Sequence, residues 1–164
     1  MSSVHPVLTL INRCDALAQQ FDTTFSASCT LLTDMANGVV APGGPQTMDD
    51  TLSVLRSTLE RCEAVVGEML GCIYADIPLL LDQLDAGEGK EVGSWNARQA
   101  LDGISQLFYS YQDLLTDKRE LLADFTCEEV SPSQFIQRWT SIDATLASQR
   151  KQQVDDLADL LAAF

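Results

Sequence analysis

The segment Val7-Leu-Thr-Leu-Ile-Asn-Arg-Cys-Asp-Ala-Leu-Ala-Gln-Gln-Phe-Asp-Thr-Thr-Phe25 decides the fold. Taken in alternating steps of four and three it returns Val7, Ile11, Cys14, Ala18, Phe21 and Phe25, every one apolar. Positions three and four apart share a face of an α-helix, so this spacing draws one apolar stripe along a helix and requires another helix to cover it. Outward from the segment the stripe reaches back to Val4 and on through Ser28, Leu32 and Met35, with Ser28 its single polar member.

The same signal recurs downstream. Met48, Leu52, Leu55, Leu59, Cys62, Val66, Met69 and Ile73 form a second stripe. Ala97, Leu101, Ile104, Phe108, Tyr111, Leu115, Lys118, Leu122 and Phe125 form a third. A fourth carries Phe135, Trp139, Ile142 and Leu146, loses its apolar character across Ser148 to Gln153, and resumes with Val154, Leu157, Leu161 and Phe164. The expected fold is all-α: one domain over residues 1–164, with long amphipathic helices at about 4–37, 48–84, 95–126 and 132–163. At 1.5 Å per residue each is roughly 45–55 Å long, and similar lengths with short loops favour an antiparallel up-down-up-down bundle. Coiled-coil-like hairpins, in which one or two helices pair with another chain, are the competing architecture.

Punctuation residues set the boundaries. Asn37-Gly38 suits a left-handed helix end, and Pro42-Gly43-Gly44-Pro45 reads as a loop. Thr47, followed by Asp49 and Asp50, is a candidate N-cap for the second helix, and Ser94 one for the third. Ser131-Pro132-Ser133-Gln134 has the spacing of a capping box with proline in the first helical position. Pro78 lies inside the second helix, and after Ile73 the stripe slips to Ile77, Leu80 and Leu84; proline and phase together predict a kink or a break.

Of the net charge of −14, eight acids and two arginines put −6 on residues 48–85 alone. The densest cations are Lys118-Arg119 and Arg150-Lys151, too sparse for nucleic acid or an anionic membrane, whereas a basic protein surface fits. Cys14, Cys29, Cys62, Cys72 and Cys127 are odd in number and have no C-x-x-C spacing; Cys14 and Cys62 fall on stripes, as reduced core residues would. The longest apolar run, Ile77 to Leu81, is too short for a bilayer, and the N-terminus lacks the pattern of a signal peptide. A cytoplasmic or nuclear protein without a membrane span is expected.

Chemistry is sparse. A bundle metal site needs several carboxylates with imidazoles, and His5 is the chain's one histidine. Neither glycine cluster, Gly43-Gly44 or Gly87 to Gly93, has phosphate-loop spacing, and no base stands beside a nucleophile. The expectation is no enzyme, no cofactor and no metal. The pairs Tyr74/Ile77, Tyr111/Leu114 and Trp139/Ile142 resemble aromatic-x-x-aliphatic ligand motifs, but in helices i and i+3 share a face and read as core. Phe108, Tyr109 and Tyr111 sweep about 300° of a helix, so Tyr109 points out of the seam.

Leu17-Ala-Gln-Gln-Phe-Asp22, Val54-Leu55, Glu63-Ala-Val-Val-Gly-Glu68, Leu107-Phe-Tyr-Ser-Tyr111 and Leu114-Leu115 resemble, in order, segments of the long helical scaffold subunit of the fungal autophagy-initiation kinase complex. The resemblance covers roughly half the chain. That family is longer, has an arginine pair where this chain has Lys118-Arg119, and offers no counterpart for residues 128–164. It implies a non-enzymatic scaffold that dimerises and recruits kinase subunits.

From the residues alone, the expected work is protein–protein interaction, as an adaptor or complex subunit joining a protein partner or a second copy through helix packing. Tyr109, Trp95, Val154, Leu157, Leu161 and Phe164 are the candidate contact residues. A self-contained bundle holding a small hydrophobic ligand is the alternative.

Overall fold

A computed structural model describes residues 6–39, 47–86, 92–142 and 144–163. Its elements are α1 (Pro6–Ala36), α2 (Met48–Gly71), a π-helical turn (Cys72–Asp76), α3 (Ile77–Ala86), α4 (Val92–Thr126), α5 (Pro132–Thr140) and α6 (Ala144–Ala163). The all-α class holds, and no strand occurs among the described residues.

Local chemistry explains most ends. Gly38 takes φ +74° after α1, and Val39 N–H bonds back to Asp34 O at 2.8 Å. Thr47 Oγ1 accepts from Asp50 N–H at 3.1 Å at the start of α2. At α5 the capping box is complete: Ser131 Oγ accepts from Gln134 N–H, and Gln134 Oε1 from Ser131 N–H. The third long helix departs from expectation, beginning at Val92 ahead of Ser94, which is therefore not its cap.

Contacts fix the directions of neighbours. Thr51 Oγ1 is 3.4 Å from Met35 Sδ, and the Cys14 thiol meets the Cys72 thiol, so α2 runs back along α1. Arg119 pairs with Glu63 at 3.1 Å and the Tyr109 and Tyr74 hydroxyls lie 3.4 Å apart, so α4 reverses again beside α2. Phe21 packs against Tyr111 in a tilted arrangement while Phe25 lies under Lys118, which makes α1 and α4 parallel. Lys118 reaches Ser141, whereas Gly103 lies beside Asp156, so α6 returns antiparallel to α4.

The three regular stripes meet in the core. Val7, Cys14, Ala18, Leu55, Cys62, Met69, Leu101, Phe108 and Tyr111 are all fully buried. The second stripe negotiates Pro78 without a break. Ile77 N–H reaches back five residues to Cys72 O, closing a π turn directly before the proline. Steps of four from Met69 to Ile73 to Ile77 would carry an α-helix's stripe off its face, and the wider π turn underwinds the chain to restore it. Ile73, Ile77 and Leu80 accordingly stay buried.

This helix bears on the expected absence of a membrane span. Met48–Gln83 contains an 18-residue window of mean hydropathy 1.7, long and apolar enough by length and composition to cross a bilayer, with 39% of the window buried in the fold. The unbroken-run argument overlooked it, because scattered polar residues interrupt the run without lowering the average much.

The fourth helix is corrected more deeply. It is two helices, broken at Ser141-Ile142, where Ser141 adopts an extended φ/ψ of −79°/126°. In an uninterrupted helix Ile142 N–H would bond to Arg138 O. Here the Lys118 ammonium donates to Arg138 O and, at 2.8 Å, to Ser141 O. A side chain from α4 thus takes the place of the next helical turn.

Candidate functional site

Polar residues that interrupt the stripes take part in two clusters, one buried and one partly exposed. In the first, Trp139 Nε1–H donates to Ser28 Oγ at 3.0 Å, and that hydroxyl donates to Phe25 O at 2.6 Å. Beside it Lys118, 2% exposed, satisfies the end of α5. Burial pulls the Lys118 pKa below its usual value, partly offset by Asp117.

The second cluster occupies the span where the fourth stripe lost its apolar residues. Arg150 bridges Asp15 at 2.8 Å and Asp22 at 3.4 Å, and Nη1 also donates to Gln153 Oε1 at 2.9 Å. Tyr111 donates its hydroxyl to the other Asp22 oxygen at 2.7 Å. Burial works against the charge of Arg150, but the Asp15 bond and the surrounding acids hold its pKa above the usual range. Burial and the Asp22 bond push Tyr111 up. One side of the polar stretch, Gln149, Arg150 and Gln153, therefore turns inward while Ser148, Lys151 and Gln152 stay exposed: Gln153 is 5% exposed and Val154 beside it 50%.

Gln153 and Gln149 also line a small cavity of about 90 Å³ between α4 and α6. Gln153 Nε2 and Gln149 Oε1 have no hydrogen-bond partner among the described residues.

Two further hollows flank the α5–α6 break. A groove of about 650 Å³ runs between α4 and the start of α6, with Asp113, Asp117, Glu120 and Asp124 along α4 and Arg138 on the opposite wall. Behind it lies a pocket of about 190 Å³ walled by Phe21, Phe25 and Tyr111, with Arg150 and Asp22 at its polar edge. Leu114 and Leu146 line both. Ile142 borders the inner pocket and is 49% exposed.

Of the six candidate contact residues, the side chains of Tyr109 and Val154 fall among the described ones. Tyr109 is partly exposed against Tyr74, and Val154 stands on the outer side of α6. The side chains of Trp95, Leu157 and Leu161, and Phe164 altogether, lie outside the described residues. Two aromatic-x-x-aliphatic pairs are split rather than jointly buried: Tyr74 and Ile142 are exposed whereas Ile77 and Trp139 are not. The groove was missed because its walls come from segments twenty residues apart. The one clue was the Asp113, Asp117, Glu120, Asp124 spacing.

Burial raises the thiols of Cys14, Cys29 and Cys72, and that of Cys62 up to about 11. A reactive cysteine needs the opposite shift. These shifts also set an alkaline limit. The unfolded thiols ionise near pH 9 while the folded ones do not, so above that pH the unfolded state holds fewer protons and stability falls. Lys118 acts in the other direction, its folded pKa being lowered, but one amine opposes four thiols and Tyr111. The thermal midpoint in reductant is expected to fall between pH 9 and pH 11, less steeply in Cys62→Ala; a flat profile would contradict buried, protonated thiols.

No known protein family, curated protein or solved structure matches the chain.

Proposed function

We propose that this chain is a non-enzymatic helical interaction module, an adaptor or subunit of a larger cytoplasmic or nuclear assembly. The observation that carries this reading is the groove of about 650 Å³ over the α5–α6 break, bordered by acidic side chains and adjoining an aromatic pocket beside half-exposed Ile142. Grooves with an apolar recess and a charged rim are what protein partners use for anchorage and orientation. The buried polar groups support it too, because Lys118 and Arg150 are spent on helix carbonyls and carboxylates and the raised thiols are poor nucleophiles.

The autophagy-type scaffold reading gains no particular support. Leu17, Phe21, Leu55, Val65, Val66, Leu107, Phe108, Tyr111 and Leu115, the large apolar residues among those that carry the resemblance, are core residues. A shared core pattern speaks to helix packing and leaves partner choice open.

The test is the solution mass of the purified chain, alone and after incubation with cell extract. The expected result is a defined complex with one partner at fixed stoichiometry. A monomer that retains nothing would overturn the proposal.

A further inference from the structure

We infer that the groove between α4 and the α5–α6 break docks a basic amphipathic helix of a partner protein; this rests on the interaction-module reading and names the partner's chemistry. Asp113, Asp117, Glu120 and Asp124 all line the groove. They fall at i, i+4, i+7 and i+11 of α4, the same period as its apolar stripe, so they form one straight ridge. Asp113, Asp117 and Glu120 are exposed and Asp124 is half-buried. Against these four acids the lining offers two cations, Arg138 and Lys118, and the Lys118 ammonium is already committed to two carbonyls.

A ridge eleven residues long spans roughly 16 Å, three turns of a facing helix. A partner helix with Lys or Arg at matching three- and four-residue spacing would pair along it. Its adjacent face would meet Leu114, Leu121 and Leu146 on the groove's apolar side. Because Leu114 and Leu146 also wall the inner pocket, one apolar side chain of the partner can pass between them toward Phe21, Phe25 and Tyr111. The chain itself has little to supply such a helix: its densest cationic pairs are Lys118-Arg119 and Arg150-Lys151, both already placed in α4 and α6. Charge complementarity therefore favours a different, basic chain over a second copy, whose net charge is also −14.

The probe is a labelled synthetic helix of about 18 residues, long enough to hold helical structure, with Lys at the matching positions and Leu on the neighbouring face. Fluorescence anisotropy with the full chain should give saturable binding that weakens at least about tenfold in the double variant Asp113→Lys/Asp117→Lys, and comparably from about 0.05 to about 0.5 M salt. Ile142→Asp should weaken it by removing the apolar border of the anchor pocket. All three positions are exposed, and an unchanged thermal midpoint checks that the variants fold. No binding, equal binding to the double variant, or equal binding of an equally charged peptide without the Leu face would each overturn the inference. The same double variant separates this inference from the broader one. If it retains from extract the partner that the wild-type chain retains, the groove is wrong while the interaction module stands; if the wild-type chain retains nothing, the module reading itself fails.

Discussion

Trp139→Ala is expected to destabilise the fold by about 3–5 kcal/mol, lowering the thermal midpoint by roughly 10–15 °C. Trp139 has no exposed surface and sits within an aromatic row that crosses three helices. Phe125 stacks on Phe135 at 4.3 Å, Phe135 and Trp139 are 5.5 Å apart, and Trp139 lies 5.5 Å from Phe25. The row continues through Phe21, 4.7 Å from Tyr111. Truncation removes the central ring, opens a cavity that flanking rings cannot fill, and leaves Ser28 Oγ without its indole donor. Trp139→Phe keeps much of the ring contact but loses the hydrogen bond and part of the ring volume, so its expected cost is smaller, about 1–2 kcal/mol. Urea unfolding of the two variants checks the pair. A loss below about 1.5 kcal/mol for the alanine variant would mean that α5 does not dock through this ring.

Arg150→Met is expected to cost about 2–3 kcal/mol. Methionine keeps much of the volume but leaves Asp15 and Asp22, two turns apart on one face of α1, without their shared cation, and Gln153 Oε1 without its donor. Stranding a fully buried carboxylate costs more, about 3–5 kcal/mol. The side chains of Asp15 and Asp22 are 21% and 44% exposed, so water recovers part of the loss. The control is Asp15→Asn in the Arg150→Met background, which should restore about 1 kcal/mol or more by removing one of the two uncompensated charges. If Arg150→Met proved neutral, the polar layer would be a solvated surface feature rather than a structural contact. The same result would remove the explanation for Gln153 facing inward while Val154 faces solvent.

How much could be read beforehand depended on how local the cause was. The capping box at Ser131, the Thr47 cap and the end at Asn37-Gly38 each involve residues within four positions of one another, and each was legible. The distortion near Pro78 was legible as well, since a missing N–H and a slipped stripe are both sequence features. Its form was not, because a π turn and a sharp kink relieve the same conflict and packing on α1 selects between them. The outward turn of Tyr109 followed from helical geometry, and the residue is 39% exposed. Val154 was assigned to a resuming apolar stripe that the fold turns outward. The groove draws its walls from α4 and from the α5–α6 break, so no single stretch displays it.

The apolar period by itself determined the all-α class and which faces of the first three long helices turn inward, because the helical repeat converts three- and four-residue spacing into one buried side. The interruptions in that period were decided only by the tertiary structure. Lys118 breaks the third stripe and Ser148 to Gln153 break the fourth, and in the sequence both look like defects. In three dimensions the Lys118 ammonium takes the carbonyls of Arg138 and Ser141 and splits one expected helix in two, while Arg150 finds Asp15 and Asp22 on α1. A buried charge is stable only opposite its partner, and those partners lie from 20 to more than 130 residues away along the chain.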